Sequence, residues 1–126
     1  MTKSGERFSA IYALAKEIPP GKVASYGMLA SLIPGVTARI AGYAMAGVSS
    51  GEDIPWHRVI NSAGKISERD GAERQRKRLE SEGVIFSSAG KIKWLDFGWE
   101  GPSQSWLDAN GLDPIDFMTI RAGWPR

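Results

Sequence analysis

With 126 residues, 42% of them hydrophobic, the chain has material for one domain with a modest core, and a second catalytic domain is not expected. It contains no cysteine, which excludes a disulfide framework, a thiolate metal site and a sulfur nucleophile, and its single histidine cannot build a metal site alone. The net charge of +2 is unevenly spread, with 14 Lys+Arg against 9 Asp+Glu in residues 1–94 and 2 against 5 in residues 95–126, a basic body and an acidic tail suited to approaching a polyanion by one part only.

Phe8, Ile11, Tyr12, Leu14, Ala15 and Ile18 recur at helical spacing, and Pro19-Pro20-Gly21 predicts that this first helix stops near Ile18. Lys16 and Glu17 interrupt it before any apolar run reaches signal-peptide or membrane-spanning length, so no membrane association and a cytoplasmic location are expected. Val23-Ala24-Ser25-Tyr26 leads into a second helix, with Ser25 as its cap and Met28, Leu29 and Leu32 as its inner face. Pro34-Gly35 turns the chain, and Thr37 caps a third helix predicted from about Ala38 to Gly47. Helix, short turn, helix is the outline of a helix-turn-helix, which makes the third element its recognition helix. That helix is thin: Ala38, Ala41, Gly42, Ala44, Ala46 and Gly47 suit tight packing on a neighbour, the commoner use, or entry into a narrow groove.

Pro55 to Val59 forms a turn, followed by Ile60 to Ile66, which reads as a hairpin around Ala63-Gly64. Ser88-Ala89-Gly90-Lys91-Ile92 repeats the string of residues 62–66, as two hairpin tips with the same turn chemistry would. Between them, Gly71 to Gly83 predicts a charged helix with Leu79 inward and Gly83 as its stop. Its Arg74, Arg76, Lys77 and Arg78 look like a phosphate-binding cluster, but residues 68–82 hold five basic and five acidic side chains, which favours a solvated, ion-paired face. The tail carries Trp94, Phe97, Trp99, Trp106, Phe117 and Trp124 among Gly-Pro punctuation, and either folds back or extends toward a partner. The expected division is a domain over 1–99 and an extension of unknown role over 100–126.

Five ordered segments carry a resemblance: Val23-Ala24-Ser25-Tyr26-Gly27, Ala38 to Met45, Pro55-Trp56-His57-Arg58-Val59, Asn61 to Arg69, and Leu79-Glu80-Ser81-Glu82-Gly83. In order, they resemble the helix-turn-helix, recognition helix, active-site turn, base-covering loop and glutamate-bearing helix of the O6-alkylguanine-DNA alkyltransferases. The resemblance spans about Phe8 to Phe86. It implies a mainly α fold with short β-hairpins, a winged-helix-like helix-turn-helix domain similar to the C-terminal domain of those enzymes. The enzymes also carry a further N-terminal domain, which is not expected here.

Trp56 stands where those enzymes carry the cysteine that accepts the alkyl group, and an indole cannot take that role. The pattern therefore resembles the alkyltransferase-like proteins, which bind the same lesions without repairing them. The resemblance implies that Arg39 enters the space left by a flipped base, with Ala38 and Gly42 beside it on the recognition helix. It implies that Tyr26 crowds the target phosphate and that Trp56 walls the base pocket. Arg69 replaces the usual tyrosine and widens the cavity for larger alkyl groups. Main-chain groups of Trp56, Val59 and Asp70 match positions that bond guanine. His57 and Glu82 resemble the pair that activates the thiol, retained here as a structural hydrogen-bond network.

The partners implied are double-stranded DNA containing O6-alkylguanine and the damage-recognition machinery of nucleotide excision repair, with the protein as a monomer, nucleoid-associated in a bacterium. No cofactor or metal is expected, since no phosphate-loop, dinucleotide or ligand spacing appears. A helix-turn-helix transcription regulator reading undamaged DNA is the alternative, disfavoured because Arg39 is the main base-reading candidate on the third helix. A hydrolase built on His57 and Glu82 lacks a nucleophile. The chain departs from the family pattern in two places. Gly47 to Asp53 has no hinge asparagine, leaving Ser49 or Ser50 to supply polar contacts, and Tyr43 is bulkier than the usual small residue.

Overall fold

Apolar residues three and four positions apart give α1 (Lys3–Ala15) a buried stripe in which Ile11, Leu14 and Ala15 are fully enclosed, in a computed structural model that describes residues 3–48 and 53–126. The helix ends at Ala15, earlier than the proline pair predicts. Glu17 and Ile18 donate to carbonyls three residues back, at Leu14 and Ala15, and this tighter turn still delivers Ile18 to the core. The polar contacts expected of Ser49 or Ser50 lie outside the described residues.

The helix-turn-helix forms as predicted. Ser25 Oγ accepts the Met28 N–H at 3.0 Å and starts α2 (Tyr26–Ser31), which buries Met28 and Leu29, with Leu32 behind them. Thr37 Oγ1 accepts the Ile40 N–H at 3.2 Å and starts α3 (Ala38–Ala46), with Gly47 as its cap rather than its last residue. The Tyr12 hydroxyl donates to the Ala44 carbonyl at 2.9 Å and ties α3 to α1.

The hairpin expected over 60–66 is half present. Its turn forms, with Asn61 Oδ1 accepting the N–H groups of Ala63 and Lys65, each at 3.0 Å. The strand leading into it, β2 (Val59–Ile60), instead pairs in parallel with β1 (Ala24–Ser25), Ala24 opposite Val59 and Ser25 opposite Ile60. All four residues are buried, and a pair enclosed on both faces suits parallel pairing between distant segments better than a half-solvated hairpin. The repeated Ser-Ala-Gly-Lys-Ile strings meet one another: Lys65 bridges Lys91 antiparallel, and the Ile92 N–H donates to the Gly64 carbonyl at 3.0 Å.

The charged helix α4 (Ala72–Ser81) buries Leu79 as predicted. Gly83, at φ 97°, permits the left-handed stop in which Val84 N–H returns to Leu79 O and Gly83 N–H to Glu80 O. Val84 then joins Val23, Ile60, Leu79 and Ile92 in a second, smaller core.

The tail is built into the main core. α5 (Trp94–Phe97) leads to a segment that lies along β1, where Val23 donates to Phe97 O and Trp99 to Val23 O, both at 2.8 Å. α6 (Gln104–Ala109) and α7 (Pro114–Arg121) bring Leu107 and Phe117 to the cluster that holds α1, α2 and α3. Trp124 stacks on Trp99 with centroids 5.7 Å apart, and its Nε1–H donates to Ser31 Oγ at 2.9 Å, at the end of α2. Glu17 Oε1 accepts both the N–H and the hydroxyl of Ser103, at 2.9 and 2.8 Å. Of the two readings of the aromatics, folding back is the one the structure adopts.

Two substitutions measure how much the tail supports the helix-turn-helix. Trp124→Ala should cost about 3–5 kcal/mol of unfolding free energy, as expected for an aromatic lost from a core. Gly101→Ala should also destabilise, because φ there is +119° and a Cβ would collide with the Phe117 ring. Chemical denaturation with a single transition shifted in both variants is the expected result; unchanged midpoints would make the tail a separate appendage.

Candidate nucleic-acid interface

Of the two uses expected of the thin helix α3, tight packing is realised on one face, and the opposite face is left open. Ala41, Ala44 and Met45 are buried against α1 and α2, where small side chains allow close approach. Ala38, Arg39, Tyr43 and Ala46 face outward, and the space above Gly42 is open. The outer strip is therefore low in relief, with Arg39 and the 60%-exposed Tyr43 one turn apart as its two long side chains.

The Pro55 turn is a single 3-10 turn, Trp56–Arg58, flowing directly into β2. The parallel pairing of β1 with β2 sets it beside the start of α2. Tyr26 and Trp56 both pack, half-buried, on the main core, and the charge of Arg69 is felt at the Tyr26 hydroxyl. Burial pushes that hydroxyl's pKa up, with Arg69 acting in the opposite direction, so it is a protonated donor at neutral pH.

Trp56 meets the edge of His57 at 6.1 Å between ring centroids, with the planes at 81°. Asp70 is exposed. The Val59 main chain is engaged internally: its N–H donates to Trp56 O, and its carbonyl accepts from Gln75 Nε2 at 3.0 Å.

His57, Arg58 and Glu82 form one knot. Glu82 Oε2 lies 2.8 Å from His57 Nε2, Arg58 donates to the carboxylate through Nε and Nη2, and the Gly21 N–H donates to Oε1 at 3.1 Å. Arg58 Nη1 also donates to Ile18 O at 2.9 Å. Burial alone would raise the Glu82 pKa, but the hydrogen bonds from Arg58, His57 and Gly21 outweigh it and hold the carboxyl at about 2. Burial lowers the His57 pKa against the pull of Glu82, so the ring is neutral at pH 7 and Arg58 supplies the permanent charge. A neutral ring bonded to a carboxylate keeps its proton on Nε2. Nδ1 is then a buried acceptor without a partner among the described residues.

Four side chains at the site were not singled out as site residues from sequence. Gln75 is fully buried, donates to the carbonyls of His57 and Val59, and accepts from Arg69 Nη2 at 2.7 Å, so one amide positions both the turn and the loop arginine. Its signal was present, because Gln75 and Leu79 are the uncharged residues, four apart, in the run from Glu73 to Glu80. Arg58 was quoted only as part of its motif. Arg74 and Arg78 correct the reading of α4 as an ion-paired face. Arg76 and Lys77 do pair with Glu80 and Glu73, each at 3.6 Å, but the guanidinium carbons of Arg74 and Arg78 each lie 5.6 Å from the centroid of Trp56. Among the described residues no three His, Asp or Glu side chains group as a metal site.

Residues 6–84, which hold the helix-turn-helix, the Pro55 turn and the Glu82 knot, match the DNA-binding domain of the 6-O-methylguanine DNA methyltransferases. The chain belongs to that family. It is similar to the DNA base-flipping protein of Vibrio parahaemolyticus, at 44% identity over 94 residues covering 71% of this chain and 92% of that protein. It is also similar to alkyltransferase-like protein 1 of Schizosaccharomyces pombe, at 46% identity over 83 residues, 63% of this chain and 77% of that protein. The crystal structure of S. pombe Atl1 in complex with damaged DNA containing O6-carboxymethylguanine superposes with a TM-score of 0.70 at 40% identity, covering 79% of this chain and 99% of that one.

The knot makes stability pH-dependent in a defined direction. Glu82 has its pKa lowered from 4.5 to about 2 on folding, so its contribution is complete above 4.5 and disappears as pH falls toward 2; His57, lowered from 6.5, also disfavours the fold as it is driven to protonate. Thermal melts should therefore fall on acidification below about pH 6.5, and Glu82→Gln should flatten the segment between 4.5 and 2 while lowering stability at pH 7. Parallel wild-type and variant curves across that segment would remove Glu82 as the source.

Proposed function

We propose that this protein is a lesion sensor: it binds duplex DNA containing an O6-alkylated guanine, rotates the modified nucleotide out of the stack and holds it against Trp56 without transferring the alkyl group. The observation that carries this reading is Trp56 itself, a half-buried indole in a Pro-Trp-His-Arg-Val turn within a chain that has no cysteine. Transfer needs a nucleophile that bonds the alkyl carbon while the O6–carbon bond breaks and guanine departs, and an indole ring offers contact area instead. The relatives named for base flipping, and the S. pombe protein solved on damaged DNA, support the same reading.

The energetics favour damage over normal DNA. Unstacking a nucleotide costs a few kcal/mol, and an alkylated guanine, already poorly paired, costs less. In this reading Arg39 fills the vacated space from the low outer strip of α3, with Ala38 and Gly42 permitting close approach. Tyr26 crowds the phosphate, Arg69 lines the far side of the adduct, and main-chain groups at Trp56 and Asp70 bond the base, those of Val59 being engaged within the protein. Glu82 and His57 hold the turn in shape. The captured lesion is handed to nucleotide excision repair by a monomer, in the cytoplasm and, in a bacterium, at the nucleoid.

The decisive measurement is tryptophan fluorescence against oligonucleotides that differ only in the O6 substituent, with Trp56→Phe assigning the signal among the five tryptophans. Modified duplexes should bind more tightly and quench Trp56. Equal affinity for modified and unmodified DNA would instead favour a transcription regulator. Arg39→Ala should weaken lesion binding by about tenfold or more, roughly 1.4 kcal/mol, with no change in melting; undiminished affinity removes its insertion role.

A second prediction concerns chemistry. Trp56→Cys restores the sulfur, but Arg69 and the cationic side chains around position 56 differ from a transfer site, so no stoichiometric alkyl uptake is expected in a labelled-DNA assay. Efficient uptake would show that a single residue separates sensor from enzyme.

A further inference from the structure

Arg74 and Arg78 stand one helical turn apart on α4, and each places its guanidinium carbon 5.6 Å from the Trp56 ring centroid. Their neighbours are committed elsewhere. Arg76 and Lys77 are paired with Glu80 and Glu73, and Glu82 is held by Arg58, His57 and Gly21. Arg69 spends its two terminal nitrogens on Ser67 O and Gln75 Oε1. Among the described residues, the side chains of Arg74 and Arg78 make no hydrogen bond or ion pair. Contact with a ring face positions a guanidinium without using its N–H donors or cancelling its charge. Arg78 also borders a cavity of about 250 Å³ beside Pro55, His57 and Arg58, where Lys16 adds a cation and Asp53 an anion.

We propose that Arg74 and Arg78 form a cationic rim around Trp56 that selects O6 adducts carrying a negative charge, carboxylate-bearing substituents in particular. This rests on Trp56 being the surface against which the adduct settles. A carboxylate on the base enters a site already crowded by DNA phosphates, and moving it out of water is unfavourable unless charged donors meet it there. Two uncommitted guanidinium groups beside the ring answer that need. A neutral alkyl group would touch the same indole and gain nothing from them beyond packing.

The test compares two duplexes identical except for the adduct, O6-carboxymethylguanine and its uncharged amide, O6-carbamoylmethylguanine, with the unmodified duplex as reference, at fixed salt. The wild-type protein should bind the carboxylate more tightly than the amide by roughly tenfold, the scale of a hydrogen bond to a charged group. In the double variant Arg74→Gln/Arg78→Gln that ratio should fall to about one, whereas Arg76→Gln/Lys77→Gln should retain it. All four positions are exposed on α4, so circular dichroism melts should match and remove misfolding as an explanation.

Equal wild-type affinity for carboxylate and amide, both above unmodified DNA, would overturn the charge selection and leave the sensor reading standing. If neither modified duplex outbinds unmodified DNA, the sensor reading and the selection fall together. A double variant that weakens every duplex while preserving the ratio would reduce the two arginines to phosphate contacts and overturn the proposal.

Discussion

Everything at the candidate site depends on where the Glu82 carboxylate sits. Three donors from two parts of the chain converge on it: the His57 ring and the Arg58 guanidinium from the Pro55 turn, and the Gly21 amide that follows the proline pair. None of these segments has regular structure enough to fix its own position. A carboxylate held near pKa 2 is an anion at any physiological pH, and an anion this enclosed fixes its donors more firmly than a neutral acceptor would. Glu82 is in turn placed by the left-handed turn at Gly83, which ends α4 and sends Val84 into the second core. The geometry around Trp56 is thus set at the far end of a charged helix.

That arrangement explains why α4 can be so polar. Apart from Leu79 and the buried Gln75, it has almost no apolar material with which to dock. It docks through directional bonds instead, with Gln75 spanning the carbonyls of His57 and Val59, while its exposed Arg74 and Arg78 lie over the Trp56 ring. Buried polar contacts of this kind specify one register, since a half-turn rotation of α4 would leave the Gln75 amide unsatisfied. The cost is tolerance at one position: a change at Gln75 propagates to the turn.

Legibility in the sequence followed the range of the interactions. The helix-turn-helix was readable because its signals are local: Ser25 and Thr37 as caps, Pro34-Gly35 as the turn, apolar residues at helical spacing. The positions of Tyr26, Arg39, Trp56 and Arg69 came from the order of motifs, not from periodicity. What was hidden is what joins distant segments. Val59-Ile60 reads as the first arm of a hairpin, and only the burial of Ala24-Ser25 turns it into a parallel strand. Charge counting over residues 68–82 balances correctly, yet it cannot tell Arg76, which meets a carboxylate, from Arg78, which meets an aromatic ring 22 positions earlier in the chain. The tail helices α6 and α7 are short and weakly patterned, and their stability comes from Trp99, Trp124 and Phe117 finding one another across α2.

Replacing a thiol by an indole changes what the neighbouring groups are for. A transfer enzyme is selected for interactions that strengthen as a bond breaks, and tight ground-state binding works against its rate. A sensor has no transition state to favour, so all of its binding energy serves to lengthen the life of the complex, which appears chiefly as slow dissociation. In the proposed reading Trp56 suits that end: each methylene an adduct lays on the ring would add on the order of 0.8 kcal/mol, so retention would grow with adduct size. Around the ring stand long arginine stems, Arg74 and Arg78, rather than further aromatic rings. The His57–Glu82 pair joins a neutral ring to a carboxylate, and the His57 ring in turn meets Trp56 edge-on, so the bond that fixes the histidine also sets one neighbour of the indole.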